Sequence, residues 1–458
     1  MTTGDSQWTD ARSPINATSE VLVRERNEGT ISKRRRQFLK HCGMLLGLSH
    51  LGEISGAGTN SFLIIPPNDT TNRNDASAKG SSMTKTHVAV IGAGVFGGWT
   101  ATHLLAKGAK VTLVDSWGPG NSRASSGGET RVIRGTYGPS QPYTKMAARA
   151  AQLWKEYEQR WNRKFLHHTG VLWMVHGDET FERSSLPELK AAGIRYEELR
   201  SQELARRWPQ INFEGVNWGI FEPDGGYSLA RSSCQAVVEE FVAAGGEYRQ
   251  AAVSGVDLDQ SDLNGLSLSD GSKLVADKYV FACGPWLGKL FPRTIGSRIR
   301  PTKQDVFFFG NPAGDKRYDD SQLPVWADHR TQFLYGIPGN QGRGFKIADD
   351  TRGPEFDPTT GERLVNAERA TEVREYIAFR FPGMKGAPLV ETRVCQYEDS
   401  PDRNFIIDRH PNTKNIWLVG GGSGHGFKHG PALGELVARL VIENGQSDPI
   451  FRLDRFEK

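Results

Sequence analysis

Two glycine-rich runs and one arginine pair have residue types and spacings that can do chemistry. In GAGVFG (92–97), Gly92, Gly94 and Gly97 stand in GxGxxG spacing, and Asp115 follows roughly 20 residues later. Gly92 suits a tight turn, Gly94 lets backbone approach a pyrophosphate, and Gly97 lets a helix pack close to a strand. The N–H groups and positive dipole end of the following helix then face the phosphates, and Asp115 can accept ribose hydroxyls. In GGGSGHGFKHG (420–430), a second set of glycines lets backbone lie against a planar or phosphate-bearing ligand. In SSGGETRVIRGTYG (125–138), Arg131 and Arg134 occupy a Gly/Thr-rich loop that lacks the periodicity of a solvated helix face.

The elements that must position these residues are legible around them. HVAVI (87–91) is a short β-branched run, WTATHLLAKG (99–108) reads as an amphipathic helix, and KVTLVD (110–115) reads as a strand ending at Asp115. Together they form a βαβ unit, which fits NAD or FAD. NIWLVGG (415–421) reads as a buried strand, and PALGELVARLVIEN (431–444) as a helix with apolar residues at Leu433, Leu436, Val437 and Leu440. No further βα repeat follows Asp115. Two glycine-rich strand-to-helix turns at opposite ends of a chain suit one extended dinucleotide bound across a crevice, whereas for NAD the second turn is superfluous.

Composition narrows the function classes. A formal net charge of +4 over 458 residues is too balanced for a nucleic-acid-binding arm. At roughly 150 residues per domain, the length accommodates two or three domains, each with its own core. Four cysteines cannot build a disulfide scaffold, and no CxxC spacing points to zinc, so no metal is expected. No apolar run approaches the ~18 residues of a membrane span.

With these residues in view, the chain resembles the sarcosine oxidase and N-methyltryptophan oxidase group of the D-amino acid oxidase-like flavoproteins. Ser125, Gly128, Thr130, Arg131, Arg134, Tyr137 and Gly138 fall on the places of one family element. In order along the chain, ADKYVFACGPW (276–286) resembles the strand and turn returning to the FAD domain, VCQYEDSPDRNFIIDRHP (394–411) the covalent-flavin segment, and GGGSGHGFKHGPALGE (420–435) the closing turn and helix. The resemblance runs from 86 to about 443. It implies an α/β protein with a Rossmann-type, glutathione-reductase-like FAD-binding domain and an interleaved substrate domain built on a mixed β-sheet. The expected FAD-binding stretches are 84–145, 225–300 and 395–445, and the substrate domain is 146–224 and 301–394.

The resemblance also implies roles. FAD is held covalently through the Cys395 sulfur, with further cofactor contacts at Gly92, Gly94, Gly97, Asp115, Ser125, Thr130, Arg131, Gly424, Gly426 and Lys428. Arg134 and Lys428 clamp a substrate carboxylate, the former with a fork of donors and the latter as a point charge. Such a cationic pocket also lowers an ammonium pKa, so the substrate nitrogen arrives as a free base. Arg131 lies beside the flavin ring and Tyr335 is an active-site tyrosine. Lys346 activates dioxygen, because a positive charge there stabilises superoxide as it forms. Cys234 and Cys283 read as small buried thiols.

The implied reaction oxidises the C–N bond of an amino acid (N-methyl, cyclic or primary) to an imine, with dioxygen accepting the electrons to give hydrogen peroxide. The alternatives are a dehydrogenase of the same fold feeding a quinone or protein acceptor, and a flavin-binding protein without turnover. A monomer is expected. Gly127 and Asp350 stand where close relatives carry histidines, which puts sarcosine itself in doubt. The aromatic residues Phe307 to Phe309 and Trp326 read as core more readily than as pocket.

Residues 1–83 are rich in Ser, Thr and Asn with little hydrophobic periodicity and read as a disordered tail. Within it, KRRRQFLK (33–40) and CGMLLGLSHL (42–51) resemble a twin-arginine export signal with Arg35 and Arg36 as the pair. Export to the periplasm is expected, with a cytoplasmic enzyme as the alternative if translation starts at Met83.

Overall fold

The β-branched run at 87–91 becomes the centre of a parallel sheet because apolar layers cover both of its faces. The computed structural model describes residues 85–254, 262–330 and 332–457; the twin-arginine-like run and Met83 lie outside the described residues. His87–Ile91 pairs in parallel with Lys110–Asp115 on one side and Lys278–Phe281 on the other. Glu247–Gln250 extends the first side. Ile416–Gly420 extends the second in parallel, and Ile406–Arg409 closes that edge antiparallel. The chain leaves the central strand to one side and returns to its other side only after more than 150 residues. That reversal opens a crevice beyond the strand's carboxyl end.

Helix Val95–Ala106 differs from the amphipathic segment expected. Val95 to Leu104 are all buried, because the helix lies between the sheet and helices Gly430–Glu443 and Ala230–Ala243. Trp99 is fully buried and packs edge-on against Trp154 and Tyr157 and flat on Trp161. Burying 150–250 Å² of aromatic surface contributes on the order of 4–6 kcal/mol as an upper estimate.

A second, mixed sheet has eight strands among the described residues. Leu389–Asp399, Arg300–Phe309, Phe345–Asp349, Phe333–Ile337 and Val325–His329 run antiparallel in that spatial order. Val325–His329 then pairs in parallel with Val171–Val175, followed by Trp218–Glu222 and Glu197–Arg200. The expected edges at 145/146 and 394/395 fall inside helix Gln141–Trp161 and inside strand Leu389–Asp399. Phe307 and Phe309 pack into the core with Trp326 and Phe345, and Phe308, one residue out of phase, faces the side of Val306 and Cys395. A small sheet of Arg131–Ile133, Gly226–Ser228 and Leu166–His167 carries Arg131 and delivers Arg134 at its end. Among the described residues, no helix is long and apolar enough to cross a membrane.

Candidate active site

A cavity of about 1040 Å³ occupies the crevice. That stands at the top of the ~300–1,000 Å³ range of small-ligand pockets, a size that suits an extended ligand such as a dinucleotide. At its dinucleotide end, Gly92 turns at φ +106°, a conformation reserved for glycine, and its N–H donates to Val114 O at 2.7 Å. Gly97 permits the close approach: a Cβ there would collide with the Gly92 carbonyl and stand 3.2 Å from Ala282 Cβ. A Cβ on Gly94 would meet only Ser126 Oγ at 3.6 Å, so that position is open toward the cavity it lines. Asp115 accepts from Ala93 N, Trp117 N and Gly118 N at 2.8–2.9 Å. Burial outweighs these donors and raises its pKa. A carboxylate has about four acceptor sites, so one remains for a hydroxyl. The buried hydroxyls Ser125 Oγ and Thr130 Oγ1 have no partner among the described residues. This open cradle with orphaned polar atoms fits FAD.

Arg131 joins several of the predicted residues. Its Nη1 donates to Thr130 O at 2.8 Å, and its Nη2 donates to Ser125 O at 2.5 Å and to Cys395 Sγ at 3.2 Å. Lys346 Nζ donates to the same Thr130 carbonyl at 2.9 Å, and its ammonium lies 5.9 Å from the centre of the Tyr335 ring. Arg131 and Tyr335 line the cavity, whereas Thr130, Cys395 and Lys346 stand behind Arg131: Cys395 Sγ accepts from it, and Lys346 shares the Thr130 carbonyl with it. Lys346 is 2% exposed. Burial first, and Arg131 second, push its pKa well below the ordinary lysine value. Burial pushes the Tyr335 hydroxyl up to about 12.

Also lining the cavity, the Arg134 guanidinium lies over the rings of Tyr137 and Trp173, 4.5 and 4.8 Å from their centres. Lys428 Nζ donates to Tyr137 Oη and His425 O, each at 2.9 Å, and burial followed by Arg134 lowers its pKa well below normal. Gly424 and Gly426 line the cavity beside it.

Several residues near these groups had no assigned role in the sequence reading. Ser126, one residue after the expected Ser125, accepts from Val95 N at 3.2 Å and holds the start of the dinucleotide helix. Arg352 bonds Asp350 Oδ2 at 2.8 Å, Asp399 at 3.1 Å and Ser423 O at 2.8 Å. Tyr397 Oη donates to Asp350 Oδ1 at 2.8 Å, and burial raises the Asp350 pKa despite Arg352. The signal for this group was available in Asp350 itself, an acid in place of a histidine, but its partners are 47 residues away in Tyr397 and two away in Arg352. Cys283, expected as a core thiol, is half-buried and lines the cavity, because its turn abuts Gly92. Cys234 is buried.

A mainly parallel sheet with a two-turn cradle at its switch point, beside a cationic pocket, defines a dinucleotide-dependent redox protein. Residues 87–440 match the FAD dependent oxidoreductase (DAO) family, and the chain belongs to it. The monomeric sarcosine oxidase of Bacillus sp. (strain NS-129) is 31% identical over 378 residues, covering 80% of this chain and 96% of that protein. The N-methyl-L-tryptophan oxidase of Yersinia pestis (strain Pestoides F) is 26% identical over 375 residues, covering 80% and 98%. Among solved structures, L-proline dehydrogenase from P. horikoshii aligns with a TM-score of 0.71 at 22% identity, over 81% of this chain and 98% of that one. Glycine oxidase from Bacillus cereus ATCC 14579 aligns at 0.64 and 20% identity, over 79% and 96%. These two structures share the fold.

Proposed function

We propose that the protein oxidises the C–N bond of an amino acid (N-methyl, cyclic or primary) to an imine. Dioxygen takes the two electrons and two protons to form hydrogen peroxide, and the imine hydrolyses. The observation that carries this reading is the convergence of Arg134 and Lys428 on the cavity that the dinucleotide glycine turns also line. The names of the sarcosine and N-methyltryptophan oxidase relatives support an amine substrate.

Bound FAD supplies the two-electron acceptor. The chain's own residues bind and orient the substrate. Arg134, stiffened by two aromatic faces, presents its guanidinium to the carboxylate. Lys428 has lost affinity for its proton through burial, and an arriving carboxylate restores that affinity. Its Nζ then takes the proton that the substrate ammonium releases, leaving the nitrogen its lone pair. Trp173, Phe181 and Phe333 line the far end of the cavity and suit a side chain larger than that of sarcosine. Asp350, tied to Arg352 and Tyr397, adds a carboxyl that favours a donor-bearing substrate. Cys395 holds the flavin covalently, and Lys346 assists dioxygen. Residues 1–60 direct export by the twin-arginine route; fused to a reporter, they are expected to carry it to the periplasm, and a reporter that stays cytoplasmic refutes the address.

The experiment is an anaerobic flavin-bleaching screen over N-methylated, cyclic and primary amino acids, followed by aerobic turnover with peroxide assay. Bleaching by at least one class, with one peroxide per imine, is expected. Turnover only with an added dye identifies a dehydrogenase, and no bleaching by any amine refutes the enzymatic reading.

A further inference from the structure

We propose that Glu398 is a cofactor-binding residue whose carboxyl group hydrogen-bonds the ribityl hydroxyls of FAD. This rests on FAD binding alone, and not on the covalent link, the substrate or the electron acceptor. Glu398 lies in strand Leu389–Asp399, three residues after Cys395, and lines the cavity while only 6% exposed. Its Oε1 accepts from Gly422 N at 3.2 Å. Its Oε2 is buried and has no partner among the described residues. That oxygen stands 3.2 Å from where a Cβ on Gly284 would be and 3.9 Å from where one on Gly420 would be. The Gly284 turn follows Ala282 and Cys283, which abut Gly92. Glu398 therefore sits between the turn suited to the pyrophosphate and the second glycine turn. In FAD, the segment joining pyrophosphate to ring is the hydroxyl-bearing ribityl chain.

The chemistry of the group matches. A buried carboxyl oxygen without a partner is destabilising, so a ligand partner is favoured. Among the described residues no cation acts on it: its ionisable neighbours are Asp399, which is held by Arg352 and Thr302, the Cys283 thiol, and Asp115 beyond that thiol. Burial first, and Asp399 second, push Glu398 up to about 8, against the Gly422 N–H. At neutral pH it is then a carboxylic acid, which both donates and accepts and so complements a hydroxyl. An ionised carboxylate would be repelled by the nearby pyrophosphate.

The test uses the full chain produced without flavin in riboflavin-starved cells and titrated with FAD by flavin fluorescence. Wild type, Glu398→Gln and Glu398→Ala are compared, each with Cys395 and with Cys395→Ala so that a covalent link does not mask the equilibrium. Glu398→Ala is expected to weaken FAD binding roughly tenfold. One FAD analogue lacking the 2′-, 3′- or 4′-hydroxyl should bind wild type equally weakly and lose nothing more in Glu398→Ala. Wild-type affinity should fall as pH rises above about 8. The Glu398→Gln protein, which keeps the shape and a donor, should bind like wild type at pH 7 with no such fall, and it keeps the assignment testable if the alanine variant does not fold. Equal FAD affinity and equal pH dependence in wild type and Glu398→Gln, or unweakened binding in a folded Glu398→Ala, overturns the assignment. So does an alanine effect fully additive with all three analogues. Wild type that binds no FAD overturns the cofactor reading itself.

Discussion

Replacing Lys346 with Met separates the two halves of the proposed reaction. The side chain is buried, and among the described residues its ammonium makes one hydrogen bond, to Thr130 O at 2.9 Å. That carbonyl keeps Arg131 Nη1 at 2.8 Å when the lysine is gone, so no buried acceptor is orphaned. Methionine fills the same stem volume, and the fold should tolerate the change. What is lost is one cation beside the Arg131–Cys395 corner. Removing a single preorganised electrostatic donor costs about 2.7–4 kcal/mol of transition-state stabilisation, or roughly 100- to 1,000-fold in rate. In stopped-flow experiments, reoxidation of reduced enzyme by dioxygen should slow by this factor, while anaerobic reduction by substrate changes less than about threefold. The pH dependence supplies a second readout. Burial and Arg131 lower the Lys346 pKa, so wild-type reoxidation should decline as pH rises through that lowered value, and the Met variant should lack the decline. The sign for stability follows from linkage. The unfolded chain binds this proton up to its ordinary pKa near 10.5, and the folded chain releases it earlier. The penalty is therefore fully present below the folded pKa and is relieved as pH rises toward 10.5. The Met variant should be more stable than wild type at neutral pH, with the difference shrinking as pH rises. Equal slowing of both half-reactions, or unchanged reoxidation, would refute the role assigned to Lys346.

Three further outcomes are expected. After acid precipitation, wild-type protein should retain its yellow colour in the pellet and Cys395→Ala should release it; colour in both supernatants argues against the covalent link. Arg134→Gln should lower kcat/KM for a carboxylate-bearing amine by roughly 10- to 150-fold, the worth of a hydrogen bond to a charged group of about 1.5–3 kcal/mol, and leave the decarboxylated analogue nearly unchanged. Equal loss on both substrates places Arg134 outside carboxylate recognition. Gly97→Ala should destabilise the protein by about 1–3 kcal/mol in urea denaturation and lower flavin occupancy, because the new Cβ meets the fixed Gly92 carbonyl rather than a flexible side chain. A fully occupied, equally stable variant contradicts the packing argument.

Local rules made part of this protein legible. The βαβ unit follows from β-branched runs and glycines that act over a few residues, and Gly92 adopts the left-handed turn its spacing predicts. The helix Val95–Ala106 was harder to read. Its pattern resembled an amphipathic helix, but its exposure depended on Gly430–Glu443, a helix more than 300 residues away. Cys283 and Ser126 are hidden from the sequence for a similar reason, since neither carries a periodic signal and each acts through a turn packed against it.

The chain's own order of residues determined the dinucleotide fold, the two glycine cradles and which cations and thiols are available, because backbone sterics and hydrophobic periodicity are written in near neighbours. Only the tertiary structure decided that Arg131 reaches Cys395 across 264 positions, that Asp350 is shared by Arg352 and Tyr397, and that Glu398, a cavity-lining residue, keeps one buried oxygen without a partner among the described residues. It also decided the proton affinities of Lys346, Lys428 and Glu398. Those depend on how much water is excluded and which charges converge from distant segments, quantities that no local pattern carries.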